Sequence, residues 1–213
     1  MAQPVTDENA ESKSARTRKR ILDAAAYILG RKGYAGTRLS EVAERAQLQA
    51  PAIYYYFPSR DDLVEEVMWS GIADMREHVS AILDALPTPT PAIERIMVAV
   101  EAHLRHELEI SDYTTASIRN AAQVPDSIRA RQQAEETAYG RVWKELFQDA
   151  ADAGELPGHL DLRTARMLIL GALNWAAEWW TPEAGPLDTV VQTAQIIVRC
   201  GLGAGSADSA LDV

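Results

Sequence analysis

The chain has 213 residues, 47% apolar and 24% charged, enough to bury a core in one or two domains and ordinary for a globular protein. A single cysteine, Cys200, rules out an intramolecular disulfide and fits a reducing cytoplasm, and no stretch is apolar for long enough to cross a bilayer. The formal net charge of −10 argues against a nucleic-acid partner until its distribution is read: residues 1–60 hold ten Lys or Arg against six acids, and the remainder 11 against 25.

Taken in order, residues 1–14 are polar and aperiodic and read as a disordered arm without the apolar core of a signal peptide. A helix follows from about Arg16, with Ile21, Leu22, Ala25, Ile28 and Leu29 as its apolar stripe, and leaves through Gly33. Thr37 to Phe57 read as two short helices with a tight turn at Gln47-Leu48-Gln49. Leu39, Val42, Ala43 and Ala46 give the first an inward face, and Thr37 or Ser40 can cap it. Pro51 suits the first turn of the second, where a missing N–H costs little. In that helix Ala52, Ile53 and Tyr56 point toward the core and Tyr54 and Tyr55 outward. Pro58 closes it, and Ser59 with Asp62 opens a long helix over about 60–86. A stiff loop, Pro87 to Pro91, leads to helices over about 92–109, 111–122, 126–153, 161–180 and 187–202, with no strand pattern and no repeat. The expected class is all-α, about nine helices. The expected layout is an arm (1–14), a helix-turn-helix domain (15–60), a ligand-binding and dimerisation domain (61–203) and a flexible tail (204–213).

Several segments carry a resemblance. The helix from Arg16 to Gly33, the exit Gly33-Tyr34-Ala35-Gly36-Thr37, Glu41-Val42-Ala43, Ile53-Tyr54-Tyr55-Tyr56-Phe57 and Pro58-Ser59-Arg60-Asp61-Asp62-Leu63 resemble the DNA-binding signature of TetR/AcrR-family transcriptional regulators. Gln47 stands where that family usually has glycine, and Gln49 where it usually has serine or threonine. A non-glycine in a left-handed turn costs on the order of 1 kcal/mol. The resemblance implies a dimer on a palindromic double-stranded operator, because one recognition helix covers only a few base pairs. Gln49, Ala50, Pro51, Ala52 and Tyr54 are then the base-reading candidates. Thr37, Tyr55 and Arg60 are candidates for the backbone phosphates, with Arg16 and Arg18 behind them, and Arg38 is a further DNA-binding candidate.

The last two helices are apolar around most of their circumference between Met167 and Trp180, which fits burial against a second copy in a four-helix bundle. The resemblance also implies a small-molecule effector between the body helices, with Tyr113, Trp143, Asn174, Trp175 and Glu178 as candidates. Asn174 and Glu178, four apart in an apolar helix, must find partners, either each other or a ligand. Glu109-Ile-Ser-Asp-Tyr113, Gly171-Ala-Leu-Asn-Trp175 and Glu178-Trp-Trp-Thr-Pro182 resemble regulators of lipid and steroid catabolism, some of which respond to acyl-CoA thioesters. Enzyme and cofactor motifs are missing, so no catalytic residue and no cofactor are expected. His103, His106 and Glu107 read as a solvated helix face rather than a metal site, and Cys200 as a buried spacer. The expected function is a ligand-responsive repressor. The alternative is a helical carrier or enzyme with a degenerate DNA-binding head.

Overall fold

The computed structural model describes residues 7–203, with side chains from residue 13. What the sequence leads one to expect of residues 1–6 and of the tail from 204 lies outside the described residues. Ten α-helical segments are present: α1 (Asp7–Gly36), α2 (Leu39–Arg45), α3 (Ala50–Tyr56), α4 (Arg60–Asp84), α5 (Ala92–Arg105), α6 (Asp112–Asn120), α7 (Ala130–Asp152), α8 (Leu162–Asn174), α9 (Ala176–Trp179) and α10 (Leu187–Gly201). A π-turn (His106–Ile110) extends α5, and short 3-10 turns precede α7 and α10. No strand occurs among the described residues. The helix α1 starts nine residues before the expected Arg16, since neither proline nor glycine interrupts the chain from residue 7 to residue 29.

The helices form two compact units that do not follow chain order. One comprises the described residues up to Ile72 together with Asp112–Gln133, the other Ala73–Ser111 together with the described residues from Ala134. The helix α6 therefore belongs with the helix-turn-helix, not with the body in which the sequence placed it.

In the first unit α1, α2, α3 and the start of α4 close around Ile21, Leu29, Val42, Ile53, Leu63 and Met68, with Ala116 of α6 in the same cluster. Two glycines let α6 pack closely, Gly33 at the end of α1 and Gly71 on α4. Gly33 has a φ of 70°, a left-handed kink that ends the regular part of α1. At Gly71 of α4 a Cβ would run into the Tyr113 carbonyl and the Ser117 side chain of α6. Buried Asn120 then completes the end of α1: its Oδ1 accepts from the Tyr34 N–H at 2.8 Å, and its Nδ2 donates to the Leu29 carbonyl at 3.1 Å. Thr114 and Ser117 donate to the Gly71 and Met68 carbonyls at 2.9 and 2.8 Å. Such local clamps satisfy backbone groups that a kinked helix leaves open.

The α2–α3 turn closes as a Schellman motif. The Leu48 N–H donates to the Ala43 carbonyl (2.9 Å) and the Gln47 N–H to the Glu44 carbonyl (3.0 Å). Gln47 occupies the left-handed position at φ 55°, where a side chain is strained. Arg20 of α1 offsets part of that strain by donating to the Ala46 and Gln47 carbonyls. Gln47→Gly is expected to raise stability by roughly 0.5–1 kcal/mol, read as a higher urea midpoint at unchanged m-value.

The second unit is built on α5. Glu94 pairs with Arg199 through two bonds of 2.7 and 2.8 Å, and Arg105 with Asp188 at 2.6 Å, which fixes α10 antiparallel along it. The Glu155 carboxylate accepts from the Ala92 and Ile93 N–H groups at 3.2 and 2.6 Å, an N-terminal cap for α5 supplied from 62 residues away. Asp161 caps α8 by accepting from the Thr164 N–H at 2.7 Å, as its position before an apolar run suggests.

Candidate functional sites

The outer face of the first unit is set by α3. Its buried Ile53 and the following Phe57 root the helix, Tyr56 is half-buried, and Tyr54 and Tyr55 stand 56% and 82% exposed. Gln49, the N-cap residue, and Pro51 are exposed, and Ala50 and Ala52 are half-buried beside them. Arg38 is exposed with no acid in ion-pair distance among the described residues. The result is a short ridge of hydrogen-bonding and small apolar side chains with a free cation at the start of α2, the chemistry that base edges and phosphates require.

Two expected phosphate contacts are engaged within the chain in this structure. Thr37 is 1% exposed and neither caps α2 nor faces outward, because its hydroxyl donates to the Gly33 carbonyl at 2.8 Å, a group the kink sets free. Arg60 is turned inward: its guanidinium lies 4.2 Å above the Tyr34 ring, donates to the Tyr34 carbonyl and bonds Asp61. Thr37, Tyr54, Tyr55 and Arg60 thus do not share one exposed face. Arg18, expected behind the site, pairs with Glu66 at 2.9 Å and lies over Phe57.

The expected effector residues are divided between the two units. Tyr113 belongs to the first unit, where its hydroxyl donates to Asp23 at 2.8 Å. In the second unit Trp143 is fully buried, Asn174 is half-buried, and Trp175 and Glu178 are exposed. Trp175 is the junction of α8 and α9, with Asn174 at the end of the first and Glu178 in the second.

What the sequence missed is a polar cluster inside the second unit. His103, His106 and Glu107 are buried, not solvated, because α4 and α7 cover the face of α5 that carries them. The Tyr139 hydroxyl lies 2.9 Å from His103 Nδ1, and Glu107 Oε2 lies 3.4 Å from His103 Nε2. The His78 ring stacks on His106 with centroids 4.6 Å apart, and Trp143 meets His103 edge-on. Burial, with the neighbouring His78 and His103, pushes the His106 imidazole down to about 4, and burial pushes the Tyr139 phenol up. Among the described residues no group of three or more His, Cys, Asp or Glu is placed to hold a metal ion.

Acid behaviour follows. Between pH 6.5 and about 4 the unfolded chain binds a proton at His106 that the native state refuses, so stability falls as pH falls through that window. His106→Leu is expected to flatten this part of the stability profile. Urea unfolding at pH 7 and pH 4.5 measures it, and an equal loss in both proteins would remove His106 as the cause.

A second exposed feature runs along α8 and α10. Leu168 and Ile197 are 69% and 65% exposed, with Met167, Trp179 and Ile196 also open to solvent. Between the two helices lies an apolar groove of about 730 Å³, lined by Ala165, Leu168, Ala172, Val190 and Ile197. The Cys200 side chain, expected inside, is exposed on the same helix.

Residues 21–67 match the family described as bacterial regulatory proteins, tetR family, and residues 89–201, more than half of the chain, match the tetracyclin repressor-like C-terminal domain. The chain belongs to the TetR family. Among its relatives is the fatty acid metabolism regulator protein of Bacillus subtilis (strain 168), 21% identical across 83% of this chain and 90% of that protein. Another is the HTH-type transcriptional repressor KstR of Rhodococcus jostii (strain RHA1), 28% identical across 89% and 84%. The crystal structure of AibR in complex with isovaleryl coenzyme A and operator DNA has the same fold, with a TM-score of 0.75 at 20% identity over 86% of this chain and 97% of that one. As a TetR-family member the protein is a transcriptional regulator, and the alternative of a helical enzyme or carrier is set aside. No helix of the described residues is long and apolar enough to cross a membrane.

Proposed function

We propose that this TetR-family regulator is a cytoplasmic homodimeric repressor that binds a palindromic operator through α3 and is released by an apolar acyl-CoA thioester. The observation that carries the reading is the rooted α3 with Tyr54 and Tyr55 exposed beside Gln49 and Arg38. Base readout belongs to Gln49, Ala50, Pro51, Ala52 and Tyr54, and phosphate contact to Arg38 and Tyr55. The open apolar faces of α8 and α10 supply the surface through which two copies associate, since so much contiguous apolar area is rarely left to solvent. The acyl-CoA class is supported by the fatty-acid regulator among the relatives and by the isovaleryl coenzyme A bound in the AibR complex.

Release needs differential binding. A ligand lowers operator affinity a hundredfold only if it prefers the released form by roughly 2.7 kcal/mol, the burial of a few methylenes at ~0.8 kcal/mol each. The test has two steps. DNA retained by the protein from its own genome is sequenced, and acyl-CoA thioesters of varied chain length are then titrated against the complex. A shared palindrome and displacement by one thioester class are expected. Retention of no common sequence would sink the operator assignment, and release by an unrelated class alone would sink the thioester.

A further inference from the structure

His106 is the one member of the buried polar cluster whose ring nitrogens both lack a hydrogen-bond partner among the described residues, although the side chain is only 6% exposed. A buried imidazole left in this state costs free energy, so native proteins rarely leave one without a purpose. Its surroundings are already organised. His103 is engaged by Tyr139 on one nitrogen and lies beside Glu107 on the other, and His78 stacks against the His106 ring. The chain also departs from regular α-helix here: the Ser111 N–H donates to the His106 carbonyl at 3.0 Å, five residues back. Single π-turns of this kind cluster at ligand-binding positions, because the register can relax when a ligand enters.

The chemistry of the unmet groups selects a ligand. A neutral imidazole offers one donor and one acceptor, and so does a hydroxyl. A carboxylate can only accept. It would find no lysine or arginine among these five groups and would add charge beside Glu107. The buried Trp143 ring meets both His103 and Tyr139 edge-on and offers an apolar wall to the hydrocarbon of the same molecule.

From these residues we infer that His78, His103, His106, Glu107 and Tyr139 form the polar end of the effector site, reading a hydroxyl group carried on the apolar acyl part of the thioester through His106. The inference rests on the reading of the second unit as an effector-binding body and names the end group that this body recognises. Tyr139, held as a phenol by burial, orients His103, which in turn lies against Glu107, so that the cluster is fixed before the ligand arrives.

Three probes with one chain length separate the end groups: 1-decanol, decanoate and decylamine, titrated calorimetrically into the full chain at pH 7.5. The alcohol should bind at least about tenfold more tightly than either ion, about 1.4 kcal/mol. The imidazole nitrogen resonances of His106 should shift with the alcohol. His106→Leu should remove the preference, and His106→Asn, which keeps a donor and an acceptor, should restore part of it. Equal affinity for all three probes, preference for the amine, a preference unchanged in His106→Leu, or no binding of any probe would each overturn the inference. Operator capture by the same samples is read in parallel. If DNA is retained while the probes fail, the hydroxyl site is wrong and the regulator stands; if DNA is not retained, the operator reading is what falls.

Discussion

Tyr54→Ala is expected to lower operator affinity by at least about thirtyfold and to leave fold and dimer intact. The side chain is 56% exposed, so its removal opens no cavity, and Ile53 and Phe57, which seat α3, are untouched. A base-edge contact is worth about 1–3 kcal/mol, and a two-fold complex makes each contact twice, which gives a loss on the order of 2–6 kcal/mol. Fluorescence anisotropy with the captured operator measures it at one stated salt concentration, and circular dichroism confirms that the helices persist. Tyr55→Ala, further out at 82% exposure, should weaken specific and non-specific DNA alike, as a phosphate contact does. If Tyr54→Ala bound the operator normally, α3 would not be the reading helix.

Ile197→Arg is expected to separate the two copies and to reduce operator binding by more than about a thousandfold. Ile197 faces solvent from α10 across the groove from Leu168, so the single chain tolerates a charge there. At an interface between two copies the change appears twice. Each substitution removes about 1.5–3 kcal/mol of apolar burial and leaves an unpaired guanidinium in an apolar surface. Sedimentation should show a monomer with unchanged helix content. Loss of the dimer removes one of two half-site contacts, and a lone recognition helix covers too few base pairs to hold the site. A variant that still sediments as a dimer would move the interface away from α8 and α10.

What the sequence made legible was local. The alternation of buried Ile53 with exposed Tyr54 and Tyr55, Pro51 in the first turn of α3, and Asp161 capping α8 depend on residues three or four apart. The pair Ser59 and Asp62 also behaves as read: the hydroxyl accepts from the Asp62 N–H and donates to its carboxylate. What the sequence hid was set by partners far along the chain. Arg60 looked free for phosphate until Tyr34, 26 residues earlier, offered it a ring and a carbonyl. Thr37 looked like a cap, but the kink at Gly33 exposed a carbonyl that claimed its hydroxyl. The face of His103, His106 and Glu107 is polar enough to read as solvated, and only the covering helices α4 and α7 make it interior. No helical periodicity reports a second covering layer.

The clamp of Asn120 on the end of α1 bears on how the protein is made. The Tyr34 N–H and the Leu29 carbonyl wait for a side chain that is synthesised 86 residues after Tyr34. Until then the first three helices lack both that partner and the Ala116 surface that closes their core. At about 5–20 residues per second, the ribosome needs a few more seconds after Ile72 before Asn120 exists. During that interval the nascent head is a loosened bundle with a basic face. A fragment ending at Ile72 should resemble that nascent form, so the DNA-reading head is not a portable module. Excising it for fusion to another protein requires carrying α6 along, tethered to the end of α4 in place of the intervening body.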